Sequence, residues 1–117
     1  MGLSQRIEND ICIVSITGEL NITQAKEVRL YVNTLLDGKK FRALIMNLKE
    51  ITAIDSTGLG VILLTYGRLT KNNIQFVICQ PDRNVSRIFN DVYVNRIIPI
   101  FNTEEDALAG LRIGGST

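Results

Sequence analysis

Apolar positions along the chain switch between period two and period three-to-four, and the switches mark out nine elements. Leu3–Ile7 reads as a short first strand, closed by the polar turn Glu8-Asn9-Asp10. Ile11–Thr17 is β-branched and almost wholly apolar, which predicts a strand buried on both faces and paired antiparallel with the first; Gly18 ends it. Ala25, Val28, Val32, Leu35 and Leu36 form a helical stripe whose entry is capped by Asn21 or Thr23, and Asp37-Gly38-Lys39-Lys40 stops that helix. Arg42–Leu48 predicts a third strand. Leu59, Ile62, Leu63, Tyr66 and Leu69 then return to helical spacing as far as about Thr70, and Ile74–Cys79 is again a strand. Strand, helix and strand joined by short links form a βαβ unit, which requires a parallel strand pair. Val85, Ile88, Phe89 and Val92 predict a third helix, capped by Asp82 or Asn84. Ile97–Phe101 predicts a short last strand, which Pro99 restricts to an edge. Thr103 caps a fourth helix opened by Glu104, Glu105 and Asp106 and buried through Ala107, Leu108 and Leu111; a frayed tail is expected from about residue 113. The sum is an α/β fold: a mixed sheet of about five strands with about four helices, most of them on one face, in a single domain spanning 1–117.

One junction carries more chemistry than the rest. Asp55-Ser56-Thr57 stands between the third strand and the second helix. Each of the three side chains can accept a hydrogen bond from a first-turn amide. The bare helix N-terminus beside them suits a phosphate. Capping alone accounts for many such triplets, but Gly58, Gly60 and Gly67 fall inside the predicted helix, where glycine costs about 1 kcal/mol against alanine. At least some of them therefore answer a close contact. Strand C-terminal ends are where open α/β sheets meet ligands and partners. Both this junction and the turn after Thr17 lie at such ends.

Composition narrows the chemistry. The 117 residues carry 13 basic and 12 acidic side chains, a net charge of +1, so there is no electrostatic footprint for nucleic acid. There is no histidine, which removes the commonest general base and metal ligand. Cys12 and Cys79 lie far apart inside apolar strands and are expected reduced and buried, with no metal or redox role. No P-loop spacing occurs, and no cofactor is expected. No apolar run is long enough to insert in a membrane, and Met1–Arg6 has neither a signal-peptide core nor the Ser or Thr that a myristoylation signal needs at position 6; a cytoplasmic protein that is not an enzyme is expected.

The run Asp55-Ser56-Thr57-Gly58-Leu59-Gly60-Val61-Ile62-Leu63, the upstream Thr17-Gly18-Glu19-Leu20 and the later Val85-Ser86-Arg87-Ile88-Phe89, in this order of elements, resemble the STAS domain and, within it, the bacterial anti-sigma-factor antagonists. The resemblance covers nearly the whole chain. It implies that Ser56 is a phosphoacceptor, phosphorylated by an anti-sigma serine kinase. It implies that the unphosphorylated form binds that kinase and releases the sigma factor, and that a PP2C-type phosphatase resets the switch. The implied partner-binding surface comprises Asn21, Thr23, Asp55, Ser56, Thr57, Gly58 and Leu59. Asn21 departs from the pattern, standing where the family usually has Asp; it keeps the cap and loses the charge.

Other readings compete, an enzyme or nucleotide binder being the one that the missing histidine and P-loop disfavour. A non-switching STAS scaffold subunit of a stress-signalling complex, or the regulatory module of a lipid or anion transporter, would use the same surface without phosphorylation. A receiver domain with Asp55 as acceptor would need further carboxylates for Mg²⁺, and the stretch after Thr17 offers only Glu19.

Overall fold

The computed structural model describes residues 2–38 and 40–115, and within them the pattern becomes a five-stranded sheet, four α-helices and one 3-10 turn. The strands are β1 (Gly2–Glu8), β2 (Ile11–Leu20), β3 (Ala43–Ile54), β4 (Gln75–Cys79) and β5 (Ile100–Phe101). Their order in the sheet is their order in the chain. The β1–β2 hairpin is antiparallel, from Gly2 opposite Thr17 to Glu8 opposite Ile11, and the three remaining pairings are parallel.

That order places the helices. The crossovers α1 (Ile22–Asp37), α2 (Ser56–Lys71) and α3 (Arg83–Asp91) each advance the sheet by one strand in the same direction. A common handedness of crossover then puts all three on one face. There Val28, Val32, Ile62, Val85 and Phe89 pack on Cys12, Val14, Leu44 and Met46. Helix α4 (Glu104–Gly115) follows the last strand, connects to nothing further, and covers the other face with Ala107 and Leu111 on Ile13, Ile45 and Val77. The central strands are therefore buried on both faces, which is why they read as unbroken apolar runs. Cys12 and Cys79 are free thiols in these two cores, one on each side.

The caps form as their chemistry dictates. Asn21 caps α1, and Asp82 caps α3 by accepting from the Val85 amide at 2.8 Å. The Thr103 hydroxyl accepts from the Asp106 amide at 3.0 Å.

Five boundaries differ from the sequence reading. Gly18 does not end β2: it sits at φ 104°, in the left-handed region, where the β2–β3 register shifts, and the strand continues to Leu20. Strand β3 does not stop at Leu48 but runs to Ile54: Lys49 is exposed at a shift in the β2–β3 register, Glu50 is exposed but paired with Thr17, and Ile51, paired with Gly18, is buried again. The last strand is Ile100–Phe101 alone. Before it, Val94–Arg96 forms the 3-10 turn, and Val94 and Ile98 are buried in place of Val92 and Ile97. Helix α3 ends at Asp91, so Val92 leaves the helical period at its last step and is exposed. Helix α4 extends to Gly115; Lys39 and the last two residues of the expected tail lie outside the described residues.

Candidate functional site

Parallel strands that end in register start their helices side by side. Leu20 and Ile54 are partners at the ends of β2 and β3, and the next residue of each, Asn21 and Asp55, is the N-cap of the helix that follows. Both caps are extended backbone with a helix-facing oxygen. Asn21 Oδ1 accepts from the amides of Thr23 at 2.9 Å and Gln24 at 3.4 Å. Asp55 Oδ1 accepts from the Gly58 amide at 2.8 Å.

The Asp55 carboxylate also reaches across the gap. Its Oδ2 accepts from the Ile22 amide at 3.3 Å, so one side chain holds first-turn donors of both α1 and α2. The Asp55 amide in turn donates to the Leu20 carbonyl at 3.3 Å. Two helix N-termini are thus clamped together, and their positive ends converge on one carboxylate.

Gly58 makes the clamp possible. A Cβ placed there would lie 2.1 Å from the Leu20 carbonyl oxygen and 3.0 Å from Ile54 Cγ1. No side chain fits between the first turn of α2 and the end of β2. Gly60 and Gly67 meet nothing within 4 Å, so the close contact that three helical glycines required belongs to Gly58.

Ser56 and Thr57 occupy the first two positions of α2 and are exposed. Asp55 does the capping, and no hydrogen bond of the Ser56 hydroxyl is found among the described residues. Asn21, Thr23, Asp55, Ser56 and Thr57 therefore come together on one open end of the molecule. Leu59 is half-buried against the core behind them. Gly58 is buried beneath this surface rather than on it. The sequence reading had no signal for the Asp55–Ile22 bond, whose partners are 33 residues apart; only the strand register brings them together.

A second polar cluster lies under the start of α4. Asn47, buried in β3, donates to Gln80 Oε1 at 2.9 Å and Glu104 Oε2 at 2.8 Å, and its Oδ1 accepts from the Lys49 amide at 2.9 Å. Arg6 closes the group with an ion pair to Glu104. Burial, with the Glu104 charge nearby, pushes the Cys79 thiol up to about 12. This cluster satisfies its own members and fastens α4 to the sheet.

Among the described residues no group of three or more His, Cys, Asp or Glu side chains is placed to hold a metal ion, and no helix is long and apolar enough to cross a membrane.

Comparison with known proteins places the fold. The chain is 27% identical over 103 residues to the anti-sigma F factor antagonist of Paenibacillus polymyxa, covering 88% of each. Its structure superposes on the crystal structure of TM1081 from Thermotoga maritima with a TM-score of 0.86 at 26% identity, over 94% of each chain. It shares the fold of the anti-sigma factor antagonist SpoIIAA of Bacillus, solved unphosphorylated (TM-score 0.70, 18% identity, 95% of this chain and 98% of that one) and phosphorylated (TM-score 0.72, 17% identity, 94% and 99%). The family model described as the STAS domain matches residues 3–107, and the chain belongs to that family.

Proposed function

We propose that this protein is an anti-sigma-factor antagonist and that Ser56 is the phosphoacceptor of its binding switch. The observation that carries the reading is that the fold makes no use of the Ser56 hydroxyl. Asp55 supplies the cap, the hydroxyl is exposed and unbonded among the described residues, and it stands at the positive end of α2. The named relatives support the same reading at the level of function.

The charge arithmetic favours a switch at an interface over one in the fold. A phosphate on Ser56 adds about −1.5 to −2 charges at pH 7. The α2 terminus offsets it by roughly 0.3–2 kcal/mol, and the adjacent Asp55 carboxylate opposes it. The domain therefore accommodates the group with little rearrangement. A partner surface complementary to a neutral hydroxyl does not, because an unpaired charge buried at an interface costs several kcal/mol.

In this reading an anti-sigma serine kinase docks on Asn21, Thr23, Asp55, Ser56, Thr57 and Leu59, with Gly58 setting the surface from below, and a PP2C-type phosphatase restores the hydroxyl. Incubation with the kinase and ATP, followed by intact-mass analysis, tests it. Addition of one phosphoryl group to wild type and none to Ser56→Ala is expected; equal labelling of both refutes Ser56 as acceptor.

A further inference from the structure

Helices α1 and α2 are tied at two places and open between them. At the top, Asp55 accepts from the Ile22 amide; three turns down, the Arg68 guanidinium donates to Asn33 Oδ1. Between these ties runs a groove that starts at Thr57 and follows both helices. It is made of two adjoining hollows of about 360 and 140 Å³ that share Arg29, Val61 and Leu64. Its floor is apolar, formed by Ala25, Val32 and Val61. Its walls are apolar and open to water: Ile22 is 72% exposed and Leu64 60%.

The rim carries one sign of charge. Lys26, Arg29 and Arg68 line the groove and no Asp or Glu does, in a chain whose 13 basic and 12 acidic residues are otherwise balanced. Neither ion pair found among the described residues involves any of the three. Gly60 also lines the groove, and a Cβ there would touch nothing in this chain, so packing within the domain gives no reason for glycine in mid-helix.

We propose that the α1–α2 groove receives an acidic amphipathic helix of a protein partner, laid between the two helices with its end at Thr57, beside Ser56. The apolar stripe of such a helix covers Ile22, Val61 and Leu64, and flanking carboxylates meet Lys26, Arg29 and Arg68. The lengths agree: from Ile22 to Val32 is ten residues, about 15 Å at 1.5 Å per residue, close to three turns of an incoming helix. A nucleic-acid backbone would leave the exposed Ile22 and Leu64 walls uncovered. A negative charge gained at Ser56, at the open end of the groove, acts against an acidic occupant. The natural occupant, a segment of the anti-sigma partner, rests on the switch reading; the groove itself does not.

The test uses a fluorescein-labelled synthetic peptide about three to four turns long, with leucines at i, i+3, i+4 and i+7 and glutamates on both flanks, and a second peptide with every Glu changed to Lys. Anisotropy and amide chemical shifts are read on the full chain. The expected result is saturable binding of the acidic peptide, shifts centred on Ile22, Arg29 and Leu64, and no binding of the basic one. Lys26→Glu/Arg29→Glu is expected to weaken the acidic peptide at least about tenfold and to strengthen the basic one. Equal binding of both peptides, shifts elsewhere, or no saturation at about 1 mM overturns the proposal. So does a self-associated chain that Leu64→Glu turns into a monomer, which would make a second copy the occupant. The same charge-reversal variant against the purified anti-sigma kinase separates the two readings. Peptide binding with no kinase binding to wild type sinks the switch alone; kinase binding unchanged by reversal, with no peptide binding, sinks the groove alone.

Discussion

Gly58→Ala should be the most damaging single-methyl change in α2, while the same substitution two residues later should help. The new Cβ would stand 2.1 Å from the Leu20 carbonyl oxygen and 2.9 Å from its carbon. An ordinary carbon–oxygen contact is about 3.3 Å, so roughly 1 Å of separation must be created. The atoms to be moved are backbone, held by the Asp55 amide and by the β2–β3 ladder, not the end of a flexible side chain. Overpacking of this kind costs about 3 kcal/mol, the upper end of the usual range, and alanine's helix propensity returns about 1, leaving a net loss of about 2 kcal/mol. For a domain of this size that is a fall in Tm of about 6–12 °C. Gly60→Ala and Gly67→Ala meet no atom within 4 Å and should each stabilise by about 0.5–1 kcal/mol. Urea unfolding followed by far-UV circular dichroism, with thermal melts of the same four proteins, measures all of these. Amide shifts of Ile22 and Asp55 should move in Gly58→Ala alone, because the clash parts the two helix starts. A Gly58→Ala protein as stable as wild type, or an equal loss at Gly60, refutes the close approach of α2 to β2.

Other consequences are smaller in scope. Asp55→Ala removes the acceptor for both the Gly58 and Ile22 amides and should cost about 1–2 kcal/mol by urea titration; Asp55→Asn should recover only part of it, because its single amide oxygen can keep the Gly58 cap while its NH2 group cannot accept from the Ile22 amide; an unaffected Asp55→Ala midpoint contradicts the clamp. The Cys79 thiol is raised in the folded state to about 12 from an ordinary 9.0. Below pH 9 both states hold the proton and its contribution is complete; between about 9 and 12 only the unfolded chain releases it, so stability falls as pH rises through that window. Urea midpoints from pH 8 to 10.5 should fall less in Cys79→Ala than in wild type, and a thiol reagent at pH 8 should label Cys79 only on unfolding.

Much of this architecture was legible because its central strands are buried on both faces and its crossovers are short. The apolar runs at Ile11 and Ala43 and the helical stripes at Val28 and Ile62 each satisfied one period without ambiguity. Legibility failed where a strand leaves the core. Lys49 and Glu50 break the apolar pattern of β3, but the pairing of Glu50 with Thr17 and of Ile51 with Gly18 carries the strand past them. It failed again at Val92 and Ile97, whose spacing suits burial but whose backbone has left the helix and not yet entered the strand. At the candidate site, Asp55 and Asn21 were readable as caps from local chemistry. That a single carboxylate joins both helices was not, because no pattern within one segment encodes the register of β2 against β3. The groove was hidden for a related reason. Lys26 and Arg29 lie off the buried stripe of α1, and they border a groove only because α2 sets Leu64 and Arg68 opposite them.

The central claim is that a negative charge at Ser56 is read by a partner and not by the fold. Titration calorimetry of the anti-sigma kinase against wild type, Ser56→Ala, Ser56→Asp and the phosphorylated protein tests it, with melting curves of all four beside it. Wild type and Ser56→Ala should bind alike, Ser56→Asp more weakly, and the phosphoprotein about a thousandfold more weakly, all with nearly equal Tm. Equal affinity across the four contradicts the account, as does a loss of affinity that simply follows a loss of stability.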